Sequence, residues 1–405
     1  MCVNTMRGQY NFIRDTDCSP DTPIQYGAKE SPVYGNGVRI QPHHPSKQIS
    51  AYDQKIFLPE LLPLEEYDII IVLFSAGKDS AAAYFRLREM GVPKKKIELW
   101  HHDIDGNHPD RRMDWPVTLP YIKAFAKAEG VRLRVSWRTQ GFFGELYRVG
   151  ASHPIVFEGD DGFHTCRMSD KQVDSGRIRR LSKPTGAEWE TLKSYGMRLK
   201  FPAKSGDLSR RWCSAYLKID VASAVMRNLE RTSANANILL VSGERRGESV
   251  GRSRYNEMEK HTTHAPTKAH RVVHHWRAVI DYTLRDVWEV CRRHKLTPHP
   301  CYTCGWNRCS CMCCIFSLPT HWAGIRELFP KRYREFIQDE SFLGFTLDNK
   351  KTLAEYVGDA ASCVCRDNPE AIRQLVTGRF FPGDVYTQNW QFPAGAFKGS
   401  AGGPC

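Results

Sequence analysis

The sequence predicts an α/β fold, an open parallel sheet with helices on both faces, followed by a cysteine-rich C-terminal subdomain. Three observations carry that expectation. Apolar runs such as residues 69–74 lack alternation, as strands buried on both faces do. Helix-forming segments separate them, the alternation that builds parallel sheets. Six cysteines then crowd into residues 301–314.

The first strand, residues 69–74, reads Ile-Ile-Ile-Val-Leu-Phe, and Ser75-Ala-Gly-Lys-Asp-Ser80 follows at once. Residues 81–90 are good helix formers, stopped by Gly91. A strand, a tight turn of small residues and a helix N-terminus make an anion site, because free N–H groups and the positive end of the helix dipole face it. Ser75 and Ser80 add hydroxyls, and Lys78 adds charge. The phosphate-loop pattern G-x-x-x-x-G-K-[ST] does not fit. Val72 stands where its first Gly should be, and Asp79 follows the Lys. As a bare string, the turn also reads as an ordinary βα connection.

Lys94-Lys-Lys96, which suits a solvated loop, leads to a second strand at 97–101. Asp103 and Asp105 follow at its carboxyl end, where open α/β sheets bind ligands. They suit a divalent cation beside phosphates or a ribose contact, or else a turn with local hydrogen bonds. Asp114-Trp-Pro116 predicts a helix N-cap, with the helix running to residue 129 and stopping at Gly130. Strand three spans 131–136.

Residues 140–211 break the alternation and hold Arg177, Arg179, Arg180, Arg210 and Arg211 among aromatic residues. They read as an insertion over the carboxyl face of the sheet, suited to single-stranded nucleic acid or to a solvated surface. Cys213 opens the next helix, to about residue 230. A helix N-terminus beside Arg211 favours a lowered thiol pKa or metal ligation; a buried apolar role is the alternative. Residues 237–242 form another buried strand. Beyond it, Gly243, Arg245, Arg246 and Arg252 suit an oxyanion clamp or a charged surface loop. Thr283 to Asp286 predicts a capping box for a helix over 284–295, with Val287, Trp288 and Cys291 as packing. Pro298 and Pro300 end it. A basic helical region over 322–336 is interrupted at Pro330.

These elements divide the chain into an irregular arm (1–65), a nucleotide-binding domain (66–300), a cysteine-rich subdomain (301–345) and a tail (346–405) with Cys363, Cys365 and Cys405. The 405 residues carry a net charge of +13, which favours anionic partners, nucleotides or nucleic acid. No run of 18 apolar residues and no apolar N-terminal core exist, so a cytoplasmic protein without a membrane span is expected. In a reducing compartment, 14 cysteines point to metal or redox chemistry. Crowded thiolates repel unless a metal neutralises them. A four-thiolate [4Fe-4S] cluster is expected first, with structural zinc or free thiols as alternatives. Spacing does not fix the ligands. Cys213, Cys309, Cys313 and Cys314 are the chosen set, with Cys301 and Cys304 set aside as nearest the prolines.

Placed between a buried strand and a helix, the S-x-G-x-D-S core of 75–80 resembles the PP-loop ATP pyrophosphatases of the adenine nucleotide alpha hydrolase group. The order of features narrows this. Asp103 ends a strand, and Cys213 and Lys218 begin a helix as C-x-x-x-x-K. Gly243, Arg245, Glu248 and Ser249 spell G-x-R-x-x-E-S, and a capped D-V-W helix and cysteines after P-x-P follow. Over residues 66–320 the chain is similar to the phosphoadenosine phosphosulfate reductase family. It is most like phage and bacterial members and the sulfur-incorporating subunit of DNA phosphorothioation systems.

The resemblance implies a Rossmann-like sheet and an enzyme that binds ATP with Mg²⁺ and releases pyrophosphate, activating an acceptor, nucleic acid included, for sulfur transfer. Ser75, Ala76, Gly77, Lys78, Asp79 and Ser80 would hold pyrophosphate, with Asp103 near metal or ribose and Gly243, Arg245 and Arg252 near the α-phosphate or acceptor. Lys78, Asp79, Arg245 and Cys213 would be its catalytic residues. A sulfur-donor protein such as a cysteine desulfurase is the implied partner, in sulfur metabolism or DNA modification. Two departures matter. The E-C-G-x-H segment of assimilatory reductases is absent, and Ala76 stands where many relatives have Gly. The alternatives are a true sulfonucleotide reductase using Cys213 or a cluster thiol, and a zinc-containing nucleic-acid-binding protein with a vestigial nucleotide site.

Overall fold

The computed structural model describes residues 62–108, 111–148, 152–166 and 198–398, besides a short antiparallel pair, Val33–Tyr34 with Gly37–Val38. Most of the arm, Arg177, Arg179, Arg180 and Cys405 lie outside the described residues. Strands β1 (Ile69–Leu73), β2 (Ile97–His102), β3 (Arg132–Arg138), β4 (Ile155–Glu158), β5 (Phe163–Cys166), β6 (Ala236–Ser242), β7 (Met258–Lys260) and β8 (Arg271–Arg277) form one sheet. Its order is β5-β4-β3-β2-β1-β6-β8-β7.

The inner five strands are parallel, whereas β4, β5 and β7 run antiparallel to their neighbours. The sheet is therefore mixed, not purely parallel. Part of the segment expected to lie over the carboxyl face instead extends an edge of the sheet. The turn through Asp160 and Gly162 is too short for a parallel crossover and folds β5 back onto β4.

Burial on both faces explains the unbroken apolar run of β1. Ile70 and Val72 enter a large core shared with α1 (Lys78–Glu89), α2 (Thr118–Glu129), α3 (Gly141–Leu146) and α5 (Leu284–Arg293). Ile69 and Ile71 point the other way, against Val221, Val225 and Met226 of α4 (Asp220–Asn228). A π-helical stretch, Ala215–Ile219, precedes α4 where a simple helix start was expected.

Local chemistry set most boundaries. α1 begins at Lys78, because extended Gly77 already serves as its N-cap. α2 starts at Thr118, not Asp114, since the Asp114 carboxylate accepts from the Trp115 amide (2.8 Å) and the Thr118 hydroxyl (3.3 Å) instead of capping. Gly130 ends α2 in the left-handed region, φ 64°. The Thr283–Asp286 box forms, and Val287, Trp288 and Cys291 are core.

After α5 come α6 (Pro300–Thr303), α7 (Pro319–Leu328), α8 (Pro330–Leu343), α9 (Leu353–Val357) and α10 (Pro369–Thr377). The tail returns to the core: Leu375, Val385 and Ala396 are buried, and the Trp288 indole donates to the Ala396 carbonyl (3.1 Å). Among the described residues, no helix is long and apolar enough to cross a membrane.

Candidate functional site

The Ser75–Ser80 bend joins the carboxyl end of β1 to α1, between the ends of β2 and β6. The strand order reverses there, where open α/β sheets form ligand crevices. Ser80 Oγ donates to the Gly77 carbonyl (2.9 Å) and accepts from the Ser75 amide (3.3 Å), which fixes the bend. Ala76 sits at φ 62°, a conformation that costs a side-chain-bearing residue about 1–2 kcal/mol. Gly is the residue this geometry prefers. Ala76→Gly is accordingly expected to leave stability unchanged or raise it by up to about 1 kcal/mol, read as the urea midpoint.

α1 has no side-chain N-cap, so its first-turn amides lack partners within the helix. The Lys78 amide meets the Tyr302 hydroxyl (3.3 Å). Lys78 Nζ pairs with Asp79 (2.8 Å), and the other Asp79 oxygen accepts from Arg245 Nε (2.6 Å). Burial alone would raise the Asp79 pKa, but Lys78 and Arg245 outweigh it and hold the carboxyl well below its usual range.

Gly243 lets the β6 loop close on this corner. A Cβ there would lie 2.5 Å from the Asp79 carbonyl carbon. The other arginines of the loop are held by carboxylates: Arg246 by Asp281 (2.6 Å), and Arg252 by Glu248 and Glu244. The expected three-arginine clamp is thus an ion-paired network, with Arg245 the member that reaches the bend.

Asp103 accepts from Arg111 (2.8 Å) and from the Asp105 amide (3.0 Å). With His101, Asp105 and Asp114 it lines a cavity of about 60 Å³, room for about two waters. Burial pushes Asp105 up to about 6, against the pull of the Asp114 and Met113 amides. Burial and then Asp105 push Asp114 well up. Crowded carboxylates of this kind suit a cation. His101 Nδ1 lies 3.1 Å from the Phe74 carbonyl, which links the cavity to the base of the bend.

The structure separates the chosen thiols. Cys309 lies with His299 and Cys301, their ligand atoms all within 4.8 Å of one another; among the described residues no other group of three such donors is as close. Burial raises the thiols of Cys213 and Cys311, with Cys314 adding to both, and all three sulfurs raise the Lys218 amine. Cys313 is buried, its Sγ facing the Arg112 carbonyl (3.5 Å). Cys213, Cys309, Cys313 and Cys314 therefore do not make one close donor set for a four-thiolate cluster.

Cys213 also departs from expectation. Burial, then Cys314, pushes its thiol up to about 11, because Arg211 and Lys218 offset only part of the desolvation. The lowered thiol is Cys309. Burial would raise it, but the Cys301 thiol, His299 and Lys78 bring it down to about 5. Its Sγ lies 4.0 Å from the Ser75 carbonyl, so the cysteine loop covers the bend.

The structure brings Ser75–Ser80, Gly243 and Arg245 to one corner, and beside them His299, Cys301 and Tyr302, which the sequence reading left out. The His-x-Cys spacing within Pro298-His299-Pro300-Cys301 was the available signal. No protein-family model matches the chain. It is 27% identical over 271 residues to an uncharacterized 37.8 kDa protein of the gpa 5′ region in Escherichia phage 186, across 66% of this chain and 72% of that protein.

Proposed function

We propose that this chain is a PP-loop ATP pyrophosphatase with a Rossmann-like nucleotide site. It adenylates an acceptor, for which the net charge suits nucleic acid, ahead of sulfur transfer. One observation carries the reading. The uncapped N-terminus of α1 lies at the reversal point of the sheet, with two cations, Lys78 and Arg245, set against the single carboxylate of Asp79. That excess positive charge favours phosphate oxygens, as do the first-turn amides.

In the reaction, an acceptor oxygen attacks the α-phosphorus while the bond to the bridging oxygen of pyrophosphate breaks. The protein contributes positioning and charge neutralisation, not a nucleophile. Mg²⁺, when bound with the nucleotide, offsets phosphate charge, and Asp103 and Asp105 are the carboxylates that would hold it.

Incubation with α-labelled ATP, Mg²⁺ and single-stranded DNA or RNA should yield AMP or an adenylated acceptor together with pyrophosphate. Ser75→Ala should lower that yield about tenfold, the loss of one hydrogen bond to a charged group. No labelled product above background would refute the proposal. Sulfite release from phosphoadenosine phosphosulfate with a thiol donor would favour the reductase reading instead.

A further inference from the structure

We propose that His299, Cys301 and Cys309 form a mononuclear site for a divalent transition ion, zinc above all, with its fourth position open toward the Ser75 bend. The three donors already lie within 4.8 Å of one another. A tetrahedral zinc at about 2.3 Å from sulfur and about 2.0–2.1 Å from nitrogen brings such donors to about 4 Å apart. Closing onto the ion therefore takes shifts of an ångström or less.

Two of the donors are fixed before any ion arrives. The His299 ring packs beside Tyr121 and Thr118; its Nδ1 accepts from the Cys301 amide (3.3 Å) in the metal-free chain, a bond given up when Nε2 ligates and the ring proton moves to Nδ1. Cys301 is wholly buried in the core. Cys309 closes the set from the far side of a turn and is the half-buried member.

The chemistry of the donor set selects the ion. Two thiolates and one imidazole suit zinc, whereas magnesium and calcium want oxygen. Two thiolates balance a divalent charge, so the site is neutral and tolerates burial. The remaining position faces the bend, where Cys309 Sγ is 4.0 Å from the carbonyl of exposed Ser75. Three protein ligands and an open fourth position mark a reactive site rather than a structural one. The occupant would be water, or an oxygen or sulfur atom of a molecule bound at the bend.

The probe is cobalt(II), added without air to the metal-free full chain. One equivalent should bind with thiolate-to-cobalt charge-transfer bands and tetrahedral d–d absorption, and zinc should displace it. Cys309→Ser and His299→Ala should each weaken binding at least tenfold, while Cys314→Ser and Cys365→Ser keep the wild-type spectrum. Should His299→Ala fail to fold, alkylation of the wild-type chain gives the same answer, zinc protecting the half-buried Cys309. No cobalt binding, an unchanged spectrum in Cys309→Ser, loss in Cys314→Ser instead, or alkylation indifferent to zinc would each overturn the assignment. Cobalt binding needs no nucleotide, so its failure is separate from any failure of ATP turnover.

Discussion

Gly243→Ala is expected to lower stability by about 1–3 kcal/mol, the cost of forcing extra volume into a packed site, and to abolish nucleotide binding. The added methyl would stand 2.5 Å from the Asp79 carbonyl carbon, 2.6 Å from its oxygen and 2.7 Å from the Ser80 nitrogen. All three are backbone atoms, so no rotamer change relieves the clash. Either the first turn of α1 or the β6 loop must move. Arg245, two residues on, would then lose its alignment with Asp79. The matched control is Gly247→Ala, where a Cβ meets nothing within 4 Å and the change should stay within about 0.5 kcal/mol. Urea midpoints and ATP binding for the two variants decide the matter. Equal midpoints would mean that the β6 loop does not press on α1.

The parts legible in the sequence are those where one local rule dominates. Residues 69–74 could be read as a strand because nothing polar interrupts them, and Thr283 to Asp286 because a capping box is a four-residue pattern. β8 was missed for the opposite reason. Arg271-Val-Val-His-His-Trp-Arg277 looks like surface, yet its polar groups are satisfied inside. Arg277 pairs with Glu244 and Glu259, and His274 lies 2.7 Å from the Tyr67 hydroxyl. Those partners lie 18 to 207 residues away in the chain and leave no local trace.

The cysteines show the same limit. Proximity to Pro298 and Pro300 argued against Cys301 as a ligand, but Pro300 opens α6 with His299 as its cap and thereby turns His299 and Cys301 toward Cys309. The tail was illegible because Gly305, at φ 106°, is where it docks. A side chain there would lie 2.1 Å from the Cys363 carbonyl, a contact that only the folded chain reveals.

The carboxylate at the corner of the bend should matter more than either cation. Asp79→Ala removes the carboxylate partner of Lys78 Nζ, leaving it only the Trp288 and Tyr302 rings among the described residues, and the partner of Arg245 Nε; both side chains are more than nine-tenths buried. Breaking a buried pair from one side costs about 3–5 kcal/mol, and here two cations lose their counterion together. Arg245→Ala should cost less, because Lys78 still pairs with Asp79. The effect also has a pH signature. The folded pKa of Asp79 is depressed, so its contribution is fully present well above the unfolded value of about 3.9. It declines as pH falls below about 5 and vanishes only beneath the folded pKa. The gap between wild type and Asp79→Ala should therefore be constant from pH 8 to 6 and shrink in acid. Pyrophosphate offers a sharper test. With the carboxylate gone, an added anion at the helix N-terminus meets Lys78 and Arg245 without their shared counterion and should stabilise Asp79→Ala more than wild type, as ligand linkage requires when the affinity is higher. If pyrophosphate instead shifts both urea midpoints equally, or neither, Lys78 and Arg245 are structural cations and the bend is not an anion site.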